Sequence, residues 1–153
     1  MKPEYWDRAK RTLAGRDPVL AAIMRRHPRV HLVARGHPFQ TLARAIVGQQ
    51  ISVKAAQSVW NRVLEVAPGM TPGEVLALKR PRLRACGLSD RKTEYIADLA
   101  HHFAEGTVHP HRWPAMDDEA VIAELVAVRG IGRWTAEMFL MFNLLRPDVY
   151  PLG

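Results

Sequence analysis

Apolar residues recur at helical intervals along most of the chain. Phe39, Leu42, Ala43, Ile46 and Val47 fall at i, i+3, i+4, i+7 and i+8, a core-facing stripe on a helix opening at Pro38. Gly48-Gln49-Gln50 breaks that stripe. Ser52 can cap a helix from Val53 to about Val66, with Val53, Ala56, Trp60, Val63 and Leu64 as its buried face. Upstream, residues 3–14 read as a short amphipathic helix with Tyr5, Trp6, Ala9 and Leu13 on one side, ended by Gly15. Asp17-Pro18 opens a second helix through about Arg26, and residues 27–37 read as irregular connection. Downstream, Thr71-Pro72-Gly73-Glu74 is a capping box for a helix ending near Lys79, and Leu83 to Cys86 reads as another short helical turn. Ser89 caps a helix to about Glu105 with Tyr95, Ile96, Leu99 and Phe103 inward and Gly106 at its end. Residues 107–114 read as a loop.

The last periodic stretch is the densest. Val121, Ile122 and Leu125 precede a Gly130-Ile131-Gly132 turn; Trp134, Met138, Met141 and Leu145 follow it on one helical face. The helix from about Arg133 to Leu145 is apolar nearly all round, which predicts the buried central helix. Asp117, Asp118 and Glu119 suit the positive end of the helix before the turn. No segment alternates with period two. The prediction is therefore an all-α helical bundle of roughly seven to nine helices, a single domain over residues 1–153 with a helix-hairpin-helix at 118–145.

Glycine on both sides of one apolar residue allows positive φ and close approach of another chain segment. The second hairpin helix then begins with amides in an uncluttered turn, a ready phosphate site. Charge gives that site a partner. Lys plus Arg exceed Asp plus Glu by 22 − 15 = 7, and a basic chain favours a polyanion, nucleic acid ahead of membrane surface. Cys86 is the only cysteine, which excludes an internal disulfide and a four-cysteine iron–sulfur cluster or zinc site. Adjacent His101 and His102 lie on divergent helix faces, and Pro28 interrupts His27 and His31, so the histidines read as solvated or packing residues. Charges at Lys2, Glu4, Asp7 and Arg8 argue against a signal peptide. No apolar run approaches the roughly 20 residues of a bilayer span, and the expected location is the cytoplasm.

Three motifs in order carry a resemblance. L-x-x-V-x-G-I-G-x-x-T-A ends in Gly130, Ile131, Gly132, Thr135 and Ala136. Phe39-Gln40-x-Leu42-x-x-Ala45-Ile46-x-Gly48-Gln49-Gln50-Ile51-Ser52 is the second; Gly87-Leu88-Ser89-x-x-Lys92-x-x-Tyr95-Ile96 is the third. Together they resemble the helix-hairpin-helix DNA glycosylase superfamily, in its bacterial 3-methyladenine DNA glycosylase II branch without the N-terminal β-domain of some members. The resemblance covers about residues 17–153.

It implies a DNA repair enzyme of base excision repair that flips an alkylated purine, such as 3-methyladenine or 7-methylguanine, from double-stranded DNA and hydrolyses its N-glycosidic bond. Gln50 stands where the family places the residue that wedges into the vacated stack; the other reading is a polar turn residue. Gly130, Gly132 and Thr135 mark the phosphate-binding hairpin, and the carbonyls of Val126, Val128 and Ile131 correspond to a monovalent cation site. No other cofactor is implied. Family members that also cut the backbone carry a lysine nucleophile where this chain has Trp134, so a monofunctional enzyme using water is implied. The Trp134 indole could stack on a cationic alkylated base; its alternative is core packing, and Met138 one turn on lines the same pocket or the core. The catalytic aspartate expected in the family would follow Gly153 immediately, while Asp148 aligns with a non-catalytic position and Glu137 reads as structural. Further C-terminal helices are implied, making the chain either a fragment of a monomeric enzyme or a truncated, non-enzymatic DNA-binding module.

Overall fold

The computed structural model describes residues 1–152. Among them lie nine α-helices and one 3-10 turn, and no strand. The helices are α1 (Trp6–Arg16), α2 (Pro18–Arg26), α3 (Pro38–Gly48), α4 (Val53–Val66), α5 (Pro72–Ala77), α6 (Arg80–Ala85), α7 (Asp90–Glu105), α8 (Asp118–Val126) and α9 (Arg133–Phe142). Local chemistry sets most of their starts. The Asp17 carboxylate accepts from the amides of Val19 and Leu20, Ser52 Oγ from Ala55, Ser89 Oγ from Lys92 and Asp117 from Ala120. Thr71 and Glu74 form the full capping box of α5. Gly106, at φ +70, closes α7 in the left-handed conformation.

Helix α3 lies at the centre of the core, with all five residues of its predicted stripe buried. Val59, Trp60 and Val63 of α4, Ile96, Leu99 and Ala100 of α7, and Phe139 and Leu140 of α9 close over the same core. Through it runs an edge-to-face row, Phe39–Phe103–Trp113–Phe139, with ring centroids 5.3, 6.2 and 5.3 Å apart. By contrast α1 and α2 pack on each other and contain no buried residue. No described helix is long and apolar enough to cross a membrane.

Several expectations change. Helix α1 continues through Gly15 to Arg16, and Leu13 is exposed; the glycine is tolerated because one surface glycine costs only about 1 kcal/mol against alanine. Val53 is solvent-exposed at the first turn of α4 instead of buried, and the helix buries Val59, Trp60 and Val63 further along. Helix α5 stops at Ala77 and α6 begins at Arg80. Helix α9 ends at Phe142, three residues short of the prediction. There the Asn143 amide group donates to the carbonyls of Arg35 and Gly36 and to Thr41 Oγ1, and Leu145 turns to φ +55. The buried face of α9 is Ala136, Glu137, Phe139 and Leu140. Trp134, Met138 and Met141 occupy its more open side, and Leu145 falls beyond the helix.

The predicted loop at 107–114 contains a core element. Trp113 is fully buried at the start of the 3-10 turn, and its indole N–H donates to Glu124 Oε2 at 2.6 Å. The other carboxylate oxygen faces His109 Nδ1 at 2.7 Å, and the His109 amide also donates to Glu124. Burial raises the Glu124 pKa, but these hydrogen bonds outweigh it and hold the carboxyl below the ordinary glutamate range. A depressed pKa contributes stability above the unfolded value that is lost as pH falls through the folded one. Glu124→Ala, which leaves the indole N–H unpaired, should cost about 1–3 kcal/mol at neutral pH. In urea melts its deficit relative to the native chain should shrink as pH is lowered through the acidic range; a constant deficit would contradict this account.

Candidate functional site

Two turns form one end of the molecule. The first, Gln49 to Ser52, joins α3 to α4 and places Gln50 in solvent at φ +57. The second, Ala127 to Gly132, joins α8 to α9. In it the Ile131 amide bonds to the Val128 carbonyl at 3.2 Å, and Gly130, third of the four residues, has φ +87. Positive φ at that position is what a type II turn requires.

The two glycines of this turn do different work. A Cβ on Gly130 would lie 2.3 Å from Tyr95 Cδ2, so the ring of α7 packs straight onto the glycine backbone. A Cβ on Gly132 would meet nothing within 4 Å. Gly132 is the N-cap of α9 and carries no side-chain cap, so the leading amides of Arg133, Trp134 and Thr135 face open space at the positive end of the helix. Arg133 does not compete for an incoming anion: its guanidinium binds both Glu119 oxygens and Glu137 Oε1. Hydrogen bonding to Glu119 raises its pKa further. Glu137 is buried and anchors this arginine, in keeping with a structural role.

Helix α7 holds both turns. The Lys92 ammonium donates to the carbonyls of Val47 at 2.8 Å and Gln49 at 2.7 Å, pairing groups that the end of α3 leaves open. Burial lowers the Lys92 pKa. One turn along the helix, Tyr95 supports Gly130. From the first turn, Gln49 Nε2 donates to the Gly130 carbonyl at 2.7 Å. The Gly87–Ser89–Lys92–Tyr95 motif is thus a brace; the sequence marked its residues, but not that Gln49 reaches across the two turns.

A groove of about 720 Å³ opens behind the first turn. Ile51, Val53 and Trp60 line one side, Met138 and Phe142 of α9 the other, and Arg35 the rim. The Arg35 guanidinium sits 4.5 Å from the centre of the Phe142 ring. Of the two sequence-predicted pocket residues, Met138 lines this groove, beside Thr135 of the predicted phosphate site. Trp134 does not; its indole is 54 % exposed at the start of α9, which removes the core-packing reading for it. Gln50 borders a smaller cavity of about 270 Å³ with Ser89 and Lys92. Asp148 is exposed, at φ +59, and lines neither cavity. The carboxylate expected after Gly153 lies outside the described residues. Cys86 is buried, and no group of three or more His, Cys, Asp or Glu side chains is placed to hold a metal ion among the described residues.

A family model described as HhH-GPD superfamily base excision DNA repair protein matches residues 43–146. The DNA-3-methyladenine glycosylase 1 of Schizosaccharomyces pombe is 36 % identical over 119 residues, 74 % of this chain and 52 % of that protein. A crystal structure of a DNA-3-methyladenine glycosidase from Bacillus halodurans superposes with TM-score 0.78 at 39 % identity, covering 81 % of this chain and 58 % of that one. The S. pombe 3-methyladenine DNA glycosylase in complex with abasic DNA superposes with TM-score 0.81 at 30 % identity, over 94 % and 73 % respectively. The chain spans about half the length of the curated relative it matches.

The glycine geometry gives a paired expectation. Gly130→Ala adds a clash with Tyr95 and a strained left-handed alanine, and should cost on the order of 2–4 kcal/mol in chemical denaturation. Gly132→Ala, with open space and a non-left-handed backbone, should change stability by less than about 1 kcal/mol. Equal effects would show that the turn does not rest on Tyr95.

Proposed function

Since the chain belongs to the HhH-GPD superfamily of base excision DNA repair proteins, we propose that it serves a monofunctional DNA glycosylase that removes alkylated purines, 3-methyladenine and 7-methylguanine among them, from double-stranded DNA. One observation carries this reading: the Gln50 turn and the uncapped N-terminus of α9 stand at the same end of the molecule, joined by the Gln49–Gly130 hydrogen bond.

An enzyme acting on a stacked base must extrude it and fill the gap. Gln50, exposed and clamped through its neighbour, is the wedge. The amides after Gly132 take the phosphate, a contact that gives affinity without sequence preference. Trp134 offers an exposed aromatic face beside that phosphate, and a cation over an indole gains on the order of 1–2 kcal/mol when desolvated. Met138 supplies apolar lining further in. Tryptophan has no amine to attack the sugar, so water is the nucleophile and no covalent lyase intermediate forms. The carboxylate implied by the family resemblance would follow Gly153; its task is to stabilise the oxocarbenium-like sugar as the base departs.

A monovalent cation would be held at the hairpin by backbone carbonyls. The carbonyls of Val126, Val128 and Ile131 are hard oxygen donors at the negative end of α8, and only that of Val128 already accepts a backbone bond among the described residues. When bound it would supply positive charge beside the phosphate. The second reading is a binding module without catalysis; among the described residues the 720 Å³ groove is lined by Arg35, Arg44 and neutral side chains.

Two measurements test these readings. Binding of undamaged duplex should weaken steeply with salt, with a log–log slope of about −2 to −3 for roughly three phosphate contacts, and Gly132→Glu should abolish it at low salt. Protein extended past Gly153 through the expected aspartate should release 3-methyladenine from methylated DNA, and aspartate to asparagine there should stop release. Binding without release by the extended protein would establish the module reading and end the enzymatic one. A borohydride-trapped adduct would overturn the assignment of water as nucleophile.

A further inference from the structure

We propose that Gln49 is a positioning residue that sets the spacing between the Gln50 wedge and the phosphate-binding amides, with Lys92 clamping the same turn from beneath. The inference rests on the DNA-binding reading above and goes beyond it, since neither residue faces DNA as a wedge or a grip there. Among the described residues, the 2.7 Å bond from Gln49 Nε2 to the Gly130 carbonyl is the one hydrogen bond between the turns at 49–52 and 127–132, and it spans 81 positions of sequence. The backbone carbonyl of Gln49 receives Lys92 Nζ at 2.7 Å, so the residue is fixed at both ends. The residue fixed there is also the one that immediately precedes Gln50 at φ +57. Gly130 in turn is held from its other side by the Tyr95 ring. Gln49 is therefore a strut of fixed length between two parts that must meet neighbouring points of one bent duplex. A shift of about 1 Å between such parts is enough to spoil a productive geometry.

Gln49→Ala removes the strut, and Gln49→Glu keeps its length but lacks the N–H that Gly130 accepts. Each is compared with the native chain for affinity to an intact duplex and to one carrying a tetrahydrofuran abasic analogue. Fluorescence of a 2-aminopurine opposite the analogue reports insertion of the wedge. For the native chain the abasic duplex should bind preferentially and the fluorescence should rise. For both variants the preference should fall roughly tenfold, as expected for one lost hydrogen bond to a fixed partner, with the fluorescence rise largely lost and intact-duplex affinity reduced by no more than about threefold. Lys92→Met should behave likewise, and Lys92→Arg should restore part of the effect. If Gln49→Ala melts below the assay temperature, Gln49→Glu carries the comparison. Unchanged preference and fluorescence in a folded Gln49 variant would overturn the proposal, as would an equal loss for both duplexes, which would place Gln49 in the grip alone. Failure of the native chain to bind either duplex would instead bring down the DNA-binding reading, and this inference with it.

Discussion

A lysine ammonium set against unpaired carbonyls is the contact on which the functional end depends. Helix α3 must stop at Gly48 so that a turn can project beyond the bundle, and stopping leaves carbonyls unpaired over a half-buried space. Lys92 fills that space and donates to two of them. The arrangement has a cost, since burial works against its charge, but a helix end with no such partner would cost more. Because Lys92 and Tyr95 are one turn apart on α7, the helix that closes α3 also shapes the glycine turn. One rigid element thereby governs two loops that share no sequence neighbourhood.

The electrostatics of the site differ from what net charge alone suggests. A basic chain invites a picture of arginines gripping phosphate. At the head of α9, however, Arg133 is occupied by Glu119 and Glu137, and Arg129 leans towards Glu94 at 3.7 Å. The local attraction for an anion then comes from backbone amides and the helix dipole, which are fixed in direction and lose little freedom on binding. The excess positive charge acts at longer range, attracting a polyanion without specifying a contact.

What was legible in the sequence was what short-range chemistry decides. Asp17, Ser52 and Ser89 each cap the helix their spacing indicated, and the α3 stripe is buried at every predicted position. Gly130 and Gly132 could be read as a turn, but not divided into one glycine needed for contact and one that leaves access, because Tyr95 lies far away in sequence. Periodicity picked out one face of α9 but not the buried one, since a helix apolar on nearly all sides does not say which side is covered. Trp113 went unread for a related reason. A single aromatic between two prolines has no period, and its partner Glu124 lies eleven positions on, in another element. Gln49, adjacent to the residue that drew attention, gave no signal beyond its place in a motif.

The left-handed backbone at Gln50 narrows the evolutionary choices for that position. A β-branched side chain at φ +57 is strained, whereas asparagine and glycine are comfortable there. For the wedge proposed at Gln50, valine and isoleucine are therefore disfavoured by the shape of the main chain itself. Divergence at this site should run among unbranched polar or flexible residues, and a bulkier probe would have to evolve at a neighbouring position such as Ile51.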